Sequence, residues 1–455
     1  MESAVSSPYF YGGPIASPED FYGRGETLRI IFERLAKFGS TSLIGERSSG
    51  KTSLLRYLMS DTARSQFSPD GGRYLFVYLD PQLGISDASS FYRELLSALG
   101  QPGTDVDGDE ALGRYRVQMA LKALYPKRAV VLVDEFEKIT SERKFGIGFY
   151  LFLRGLANTY ETCFITASTT SLDHCCPPEV VASPFPSLFR RLYLGSFTEL
   201  EFAEFLTKTS QRSRVPIDAH AEAISALAGR FPFYVQMACS LYFDLWREHG
   251  ELTERHHDIA QQRFFDEAAP RLRSIWSNYL TWREKVILTQ MTAGMPTEDD
   301  EAVRILQNKG YVVDGRPFSS VLAELVRTPI ADDRASCEPS GPDSSTIPGY
   351  GVWLDERLGE VWVDGERIPP VTRLEYKLLQ CLYRNHDGIC DKHTIVENVW
   401  SGSYINRVDD ARIAKLISRL RQTLENSAAR RYLVTVHGRG YKLVREGVRC
   451  DPSPA

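Results

Sequence analysis

A loop whose residue types suit phosphate binding lies near the amino end of the chain. Residues 45–52 read Gly-Glu-Arg-Ser-Ser-Gly-Lys-Thr, which fits the spacing G-x-x-x-x-G-K-[ST]. The glycines let backbone N–H groups point at phosphate oxygens, and the N-terminus of a following helix adds positive charge. Lys51 is expected to reach the β- and γ-phosphates, and Thr52 to hold Mg²⁺. ATP or ADP is therefore the expected cofactor, bound through Gly45, Ser48, Ser49, Gly50, Lys51, Thr52 and Ser53.

A pair of carboxylates follows an apolar run further along the chain. The run AVVLVDEF, residues 129–136, predicts a buried strand that delivers Asp134 and Glu135 at its carboxyl end. After a matching phosphate loop, this pair is expected to lie beside the phosphates. Asp134 would bind Mg²⁺ through water, and Glu135 would polarise the attacking water. The two motifs together predict an ATP hydrolase, with a rate that the sequence does not reveal.

Strands and helices alternate around these motifs. Apolar runs at 41–45, 74–80, 129–136 and 161–170 predict strands, with helical periodicity between them. The alternation predicts an α/β fold in which helices cover a parallel sheet. The expected organisation is a flexible tail at 1–20, a nucleotide-binding domain at 21–197, a helical lid at 198–280, a winged-helix-like unit at 281–328, a Pro/Ser/Asp-rich linker at 329–349, a second winged helix at 350–446 and a tail at 447–455.

Composition limits the classes of function. The chain has 455 residues and a formal net charge of −5, so any affinity for DNA must be local. No run of about 18 apolar residues occurs, and the first residues lack the apolar core of a secretory leader. We therefore expect a cytoplasmic protein that does not enter a membrane.

Basic residues concentrate near the carboxyl end. Between Ser401 and Arg445, ten basic residues stand against three acidic ones. Residues 409–425 carry an apolar stripe at helical spacing with a basic opposite face, and residues 431–444 alternate around a glycine-rich tip. Two helices, a basic helix and a hairpin make a winged helix, with the basic helix placed for the major groove of double-stranded DNA. A basic solvated helix used for protein contacts is the alternative.

The segment before the phosphate loop adds a resemblance to a known class. FYGRGETL, residues 21–28, is similar to the signature that precedes the loop in signal-transduction ATPases with numerous domains (STAND) and in the origin-recognition ATPases of the AAA+ class. The resemblance implies that Tyr22, Gly23 and Arg24 lie near the base and ribose. It also implies that Pro232 packs on the base, that Arg190 or Arg191 lies near the γ-phosphate, and that a polar residue among 166–170 acts as sensor 1.

The terminal unit resembles the DNA-binding domain of OmpR/PhoB-type response regulators. The resemblance rests on VTRLEYKLLQCL, ISRLRQTLE and TVHGRGYKL, and it covers about 350–445. That family usually carries Arg in the wing at the place of His437, so Arg439 is the expected substitute. The residues expected to face DNA are Arg407, Arg412, Lys415, Ser418, Arg419, Arg421, His437 and Arg439.

A nucleotide motif and a DNA module in one chain suggest an ATP-dependent switch with a DNA-binding output, such as a STAND-type transcriptional regulator. A homo-oligomer formed on ATP binding is expected, whereas the signal and any partner protein are not indicated. One alternative is an oligomeric AAA+-like ATPase that acts on DNA in replication, transposition or segregation. Another is a defence-type STAND sensor, although no repeat period is found. A nucleotide-binding scaffold without hydrolysis is a further alternative, against which Glu135 argues.

Overall fold

The computed structural model divides the chain into two compact units, Met1–Ile330 and Ala331–Ala455. The structure describes residues 7–67, 71–102, 106, 108–142, 144–278, 280, 282–297, 299–327, 351–355, 360–364, 366–368, 371–385, 388–400, 406–425, 430–436 and 439–449. The predicted linker at 329–349 lies wholly outside these ranges. No helix in the described part of the chain has the length and apolar character that spanning a bilayer requires.

A parallel sheet of five strands organises the first unit. The strands are β1 (Ser40–Ile44), β2 (Tyr74–Leu79), β3 (Arg128–Val133), β4 (Cys163–Ser168) and β5 (Phe189–Tyr193). They lie in the order β2-β3-β4-β1-β5, and every neighbouring pair is parallel. The α/β fold expected from the alternating pattern is confirmed. The sequence predicted four of these strands. It did not predict β5, whose segment was expected only to supply an arginine.

Helices cover both faces of this sheet. They are α1 (Gly25–Leu35), α2 (Lys51–Leu58), α3 (Asp61–Phe67), α4 (Ala88–Ala98), α5 (Glu110–Ala123), α6 (Glu137–Ser141), α7 (Ile147–Tyr160), α8 (Leu172–Cys175) and α9 (Pro178–Val181). Side chains alternate across a strand, so Val131 and Val133 pack into the core beneath α4 and α7, while Val130 and Leu132 pack into the core beneath α1 and α2. The two cores fix the edge at which the phosphate loop and the carboxylates emerge.

A third core joins the lid helices to a small unit that ends in a hairpin and a helix. The elements are α10 (Glu199–Ser213), α11 (Ala221–Ala228), α12 (Pro232–His249), α13 (Glu254–Asn278), α14 (Trp282–Thr292), α15 (Asp300–Lys309), β6 (Val312–Val313), β7 (Arg316–Pro317) and α16 (Ser320–Arg327). Leu227, Tyr234 and Phe318 belong to one continuous cluster, which ties the lid to the small unit.

The start of the chain is packed rather than free. Tyr9 is buried in the lid core, with its ring edge against Phe205 and Phe243. The backbone N–H of Phe10 donates to the Gln236 side chain, 3.1 Å away. The expectation of a flexible tail at 1–20 is therefore corrected for residues 7–20, because the aromatic side chains find apolar surface on the lid. Residues 1–6 lie outside the described ranges.

The second unit is a winged helix preceded by a small sheet. Its elements are β8 (Val352–Asp355), β9 (Glu360–Val363), β10 (Glu366–Arg367), α17 (Arg373–Arg384), α18 (Lys392–Trp400), α19 (Asn406–Glu425), β11 (Arg430–Val436) and β12 (Gly440–Arg449). The apolar stripe of α19 is buried as expected. Strand β12 continues to Arg449 and pairs there with Arg430, so residues 447–449 belong to the hairpin and not to a tail.

Candidate nucleotide site and DNA-facing helix

The phosphate loop runs from the end of β1 to the start of α2. A Cβ atom on Gly45 would lie 2.5 Å from the Ser49 hydroxyl and 2.7 Å from the Leu194 carbonyl oxygen, so only glycine fits. Gly50, with φ of 95°, takes the left-handed backbone that α2 needs at its N-terminus. The loop borders a cavity of about 470 Å³, a size typical of small-molecule sites.

Lys51 is buried at the base of this cavity. Its ammonium group donates to the carbonyl oxygens of Gly45 and Glu46, at 2.7 and 3.1 Å. Burial lowers the pKa of Lys51, although the carboxylates of Glu137, Glu135 and Asp134 oppose that shift. The lysine thus folds onto its own loop and is placed to exchange those carbonyls for phosphate oxygens.

Asp134 and Glu135 leave the carboxyl end of β3 in different environments. Asp134 is buried, and its two oxygens accept from the Tyr78 hydroxyl and from the Glu135 backbone N–H, each at 2.9 Å. Glu135 lines the cavity with φ of 40°. Burial, with help from the Glu137 carboxylate, raises the pKa of Glu135. The geometry keeps Asp134 oriented and gives Glu135 a pKa closer to that of a useful base.

The arginines expected near the γ-phosphate lie elsewhere. Neither Arg190 nor Arg191 is among the described residues that line the cavity. Both side chains are exposed on the edge strand β5, and Arg191 forms an ion pair of 2.5 Å with Asp173. Among the sensor candidates, the Ser168 hydroxyl donates to the Thr170 carbonyl oxygen, at 2.7 Å. Ser168 itself lies beside the phosphate loop, because its carbonyl oxygen accepts from the Gly45 backbone N–H at 3.1 Å. The structure therefore brings neither arginine to the cavity, whereas it places the end of β4 next to the start of the loop.

The motif before the loop supports the loop from behind. Tyr22 packs its ring against Phe205 of the lid, and Gly23 lies against the Phe197 ring. The buried Arg24 guanidinium donates to the carbonyl oxygens of Gly195 and Ser49, at 2.6 and 3.2 Å. Burial lowers the pKa of Arg24 to about 10, so it stays charged at neutral pH. The resemblance placed these three residues near the base and ribose. In the structure they lie behind the loop, and none of them is among the described residues that line the cavity.

The rest of the cavity wall combines one expected residue with several that the sequence did not indicate. Pro232, expected at the base, does line the cavity at the start of α12. Around it lie residues that no motif indicated, namely Phe10, Tyr11, Gly12, Gly13, Pro14, Phe233, Gln236 and Arg271. Ser53 also lines the cavity, and its hydroxyl accepts from the Ile15 backbone N–H at 3.2 Å. The uncharged aromatic run Tyr9–Tyr11 is a sequence signal that the start of the chain packs against the rest of the unit.

A buried charge cluster joins the phosphate loop to the small unit. The Lys309 ammonium group lies 2.7 Å from a Glu284 carboxylate oxygen and 3.8 Å from one of Glu46. Glu46 and Glu284 are both buried, and Lys309 is half-buried. Burial raises the pKa of Glu46, whereas Lys309 pulls it down. A variable position of the phosphate loop is thus bound to α14 and α15.

The candidate DNA-facing surface of the second unit follows α19. Arg412, Lys415, Ser418 and Arg419 are exposed on the face opposite its buried stripe, and Arg439 is exposed beside the wing. Arg421 differs, because its guanidinium donates to the Leu433 carbonyl oxygen at 3.1 Å and to the Thr435 hydroxyl at 2.7 Å. It joins helix to hairpin and is not placed to contact DNA. The side chain of Arg407 and residue His437 lie outside the described part.

Fold and site together define a P-loop nucleotide-binding protein that carries a DNA-binding winged helix. Residues 44–295, more than half of the chain, match the family described as Novel STAND NTPase 2, and the chain belongs to that family. Residues 365–443 match the domain described as Transcriptional regulatory protein, C terminal, which is the OmpR/PhoB type.

Individual proteins resemble parts of the chain. The uncharacterised transcriptional regulatory protein YrkP of Bacillus subtilis is 28% identical over 134 residues, covering 28% of this chain and 55% of YrkP. The chain thus spans about half the length of the curated relatives it matches. The Walker-type ATPase PABY2304 of Pyrococcus abyssi is similar at 16% identity and a TM-score of 0.47, over 70% of this chain and 99% of that one. The DNA-binding domain of CpxR from E. coli is similar at 23% identity and a TM-score of 0.19, over 21% and 93%.

Proposed function

We propose that the chain is an ATP-dependent switch whose nucleotide state governs a DNA-binding output, as in a STAND-type transcriptional regulator. The proposal rests on the contact between Glu46 of the phosphate loop and Lys309 of α15. Phosphates bound in the loop would draw the Lys51 ammonium group away from the Glu46 carbonyl oxygen and would add negative charge near the Glu46 carboxylate, which like charge repels. The small unit that holds Lys309 therefore responds to the nucleotide, and the chain leads from it to the DNA-binding unit.

Mg²⁺ is the ion that suits the donors beside the loop. The Thr52 hydroxyl and the Asp134 carboxylate are hard oxygen ligands, and hydrogen bonds from Tyr78 and Glu135 orient Asp134. The ion, when bound, neutralises charge on the phosphates. Lys51 then binds the phosphate oxygens, and Glu135 accepts a hydrogen bond from the attacking water and turns it toward the terminal phosphate. Slow hydrolysis of this kind would reset the switch.

On the DNA side, the proposal assigns phosphate and base contacts to Arg412, Lys415, Ser418 and Arg419 of α19. The helix enters the major groove, and its basic residues add a salt-dependent attraction to the DNA backbone. Nucleotide-dependent assembly of several chains would strengthen that attraction by presenting several such helices at once.

The test measures DNA binding by the full chain without nucleotide, with ADP, and with a non-hydrolysable ATP analogue. Binding selection from random duplexes supplies the target site, and light scattering reports the mass of the assemblies. We expect DNA affinity or assembly mass to differ between the ATP-like and ADP states, and the Lys51→Ala variant to lose that difference. If nucleotide binding is detected directly while both quantities stay constant, the coupling does not exist.

A further inference from the structure

Two adjacent cysteines lie at the end of helix α8, in the same unit as the nucleotide cavity. Cys175 is the last residue of α8, and Cys176 follows it in extended backbone. Both thiols are free, and they are close enough to share a hydrogen bond. Neither is among the described residues that line the cavity. The pair is therefore a chemical feature that the nucleotide site does not use.

One thiol of this pair is accessible to solvent. Cys176 is buried in the core beneath α4 and α7, whereas Cys175 is only half-buried. A hydrogen bond from the Cys176 thiol lowers the pKa of Cys175, which increases the thiolate fraction of the accessible group. The other close pair of described thiols, Cys381 and Cys390, is buried at both positions. Access therefore favours reaction at Cys175 and Cys176.

A buried hydroxyl lies near the two thiols. Tyr150 of α7 is fully buried, and its hydroxyl has no hydrogen-bond partner within the described part of the chain. Burial raises the pKa of Tyr150, and negative charge on Cys176 and Cys175 raises it further, because the phenol lies close to both. A buried polar group without a partner costs about 1–3 kcal/mol. A ligand that brings an oxygen to the thiols would give this hydroxyl a partner.

These three groups suit a ligand that needs two sulfur atoms and carries an oxygen of its own. Thiolates select soft centres. A structural zinc ion needs four protein ligands, and no set of three His, Cys, Asp or Glu side chains in the described ranges could hold a metal ion. Trivalent arsenic forms three bonds in a pyramid, so two sulfurs and one oxygen complete it.

We propose that Cys175 and Cys176 form a binding site for trivalent inorganic arsenic, with the Tyr150 hydroxyl bonded to its remaining oxygen. Arsenous acid, As(OH)₃, and the two thiols give (Cys–S)₂As–OH and two molecules of water. Two As–O and two S–H bonds break, while two As–S bonds and two O–H bonds of water form. Arsenic stays trivalent, so the reaction requires no oxidant.

Helix α8 also connects the thiols to the end of β3. It packs on α6, where the Thr140 hydroxyl donates to the Glu137 carbonyl oxygen at 3.2 Å and lies within hydrogen-bond distance of the Cys175 thiol. The Glu137 carboxylate accepts from the Thr169 backbone N–H at 3.1 Å. Bound arsenic would displace the Thr140 contact and lower ATP turnover. This consequence rests on the proposed function, whereas the binding site does not.

The experiment measures binding of phenylarsine oxide and arsenite to the reduced full-length chain, by mass spectrometry with peptide mapping of the thiols consumed. Phenylarsine oxide should consume Cys175 and Cys176 together. The second As–S bond forms within the molecule and should raise affinity by roughly 10²–10⁴-fold, so the adduct should resist a monothiol and yield to a dithiol. Cys175→Ala and Cys176→Ala should each lose that gain. Cys381→Ala is the matched control and should keep it.

Tyr150→Phe separates the two arsenicals. Arsenite keeps one oxygen after both As–S bonds have formed, so this variant should bind arsenite roughly 2- to 10-fold more weakly, the range of one neutral hydrogen bond. Phenylarsine oxide keeps no oxygen, so its affinity should stay the same. An equal change for both arsenicals would remove Tyr150 from the site. Melting temperatures show whether each variant is folded.

The outcomes separate this inference from the proposed function. Consumption of single thiols, or of Cys381 and Cys390 instead, would overturn the site. Arsenite should lower the ATP turnover of the unaltered chain and not that of Cys176→Ala. If arsenite binds at the pair and turnover stays constant, the link through α6 is wrong and the site stands. If the chain neither binds nor hydrolyses ATP, the proposed function fails, and the thiol mapping still decides the arsenic site.

Discussion

Replacing Lys309 with methionine tests the charge cluster between the phosphate loop and the small unit. At an effective dielectric constant near 20, Lys309 attracts Glu284 at 2.7 Å by about 6 kcal/mol and Glu46 at 3.8 Å by about 4 kcal/mol, before desolvation is subtracted. Removing one member of a buried ion pair costs about 3–5 kcal/mol. Because Lys309 keeps some exposure to solvent, we expect a loss near the lower end, about 3 kcal/mol.

The assay is thermal unfolding of the full chain followed by calorimetry at pH 8 and pH 5. A loss of about 3 kcal/mol should lower the melting temperature of the first unit by about 6 °C, at roughly 2 °C per kcal/mol for a unit of this size. Arg304→Met, an exposed position on the same helix, is the matched control and should change stability by less than about 0.5 kcal/mol.

The pH dependence identifies charge as the cause. Burial raises the pKa of Glu46, and loss of Lys309 raises it further. A carboxyl whose folded-state pKa is raised favours the fold at low pH, and that stability disappears as the pH rises through the folded-state value. The Lys309→Met defect should therefore be larger at pH 8 than at pH 5, and Glu46→Gln in the same chain should reduce it. A defect equal at both pH values, or no defect, would show that Lys309 does not stabilise the first unit through the Glu46 charge.

Four other variants separate nucleotide binding and turnover from DNA binding. Lys51→Ala should abolish nucleotide binding in calorimetry while DNA binding without nucleotide is retained. Glu135→Gln should lower ATP turnover by roughly 10²–10⁴-fold with ATP affinity unchanged. In the unaltered chain, kcat/KM should fall with decreasing pH, and the fall should begin at a higher pH than for an ordinary glutamate, because burial raises the pKa of this base and its ionised form is required. Arg419→Ala should weaken duplex binding by about 1–3 kcal/mol if it reads a base, with turnover intact. Arg421→Ala should lower the melting temperature of the second unit instead, because its bonds to Leu433 and Thr435 join helix to hairpin.

Local sequence patterns predicted the fold well where the residues of a single helix, strand or loop suffice to specify its conformation. The phosphate loop needs a strand before it and a helix after it. Gly45 and Gly50 stand at the positions where the backbone tolerates only glycine, and Lys51 follows at the start of the helix, so the spacing alone predicts the loop. The stripe of α19 likewise follows from helical periodicity, since each residue of the stripe faces the same core. The charge of the opposite face could therefore be assigned to solvent or DNA before the structure was known.

Contacts between distant segments could not be predicted in this way. Arg271 lies 223 residues from Ser48 in sequence, and nothing in the residues around it indicates a phosphate. Arg24 belongs to a motif, but its role depends on where Gly195 and Ser49 place their carbonyl groups. Arg421 differs from Arg419 only in its position on the helix, which turns one toward the hairpin and leaves the other exposed. Such roles are set by packing across elements, which single-sequence patterns do not contain.

Residues from four segments outside the sheet contact the phosphate loop or the helix that follows it. A nucleotide bound at the loop could therefore affect several parts of the first unit at once. Arg24 bonds the Ser49 carbonyl, Ile15 bonds the Ser53 hydroxyl, Arg271 bonds the Ser48 hydroxyl, and Lys309 faces the Glu46 carboxylate. Neither Arg24 nor Ile15 is among the described residues that line the cavity, so these two contacts hold the loop without facing the phosphates.

The other contacts respond to nucleotide with different signs. In the proposed switch, a phosphate in the loop would attract the guanidinium of Arg271 and would repel the Glu46 carboxylate, which weakens the attraction between Glu46 and Lys309. ATP would then draw the lid inward while releasing the small unit, and ADP, with one phosphate fewer, would do less of both. Since a ligand shifts an equilibrium only by its differential affinity for two states, these opposed contacts are where that difference must arise. Combining Arg271→Ala with Lys309→Met should therefore remove the nucleotide dependence of DNA binding more completely than either change alone.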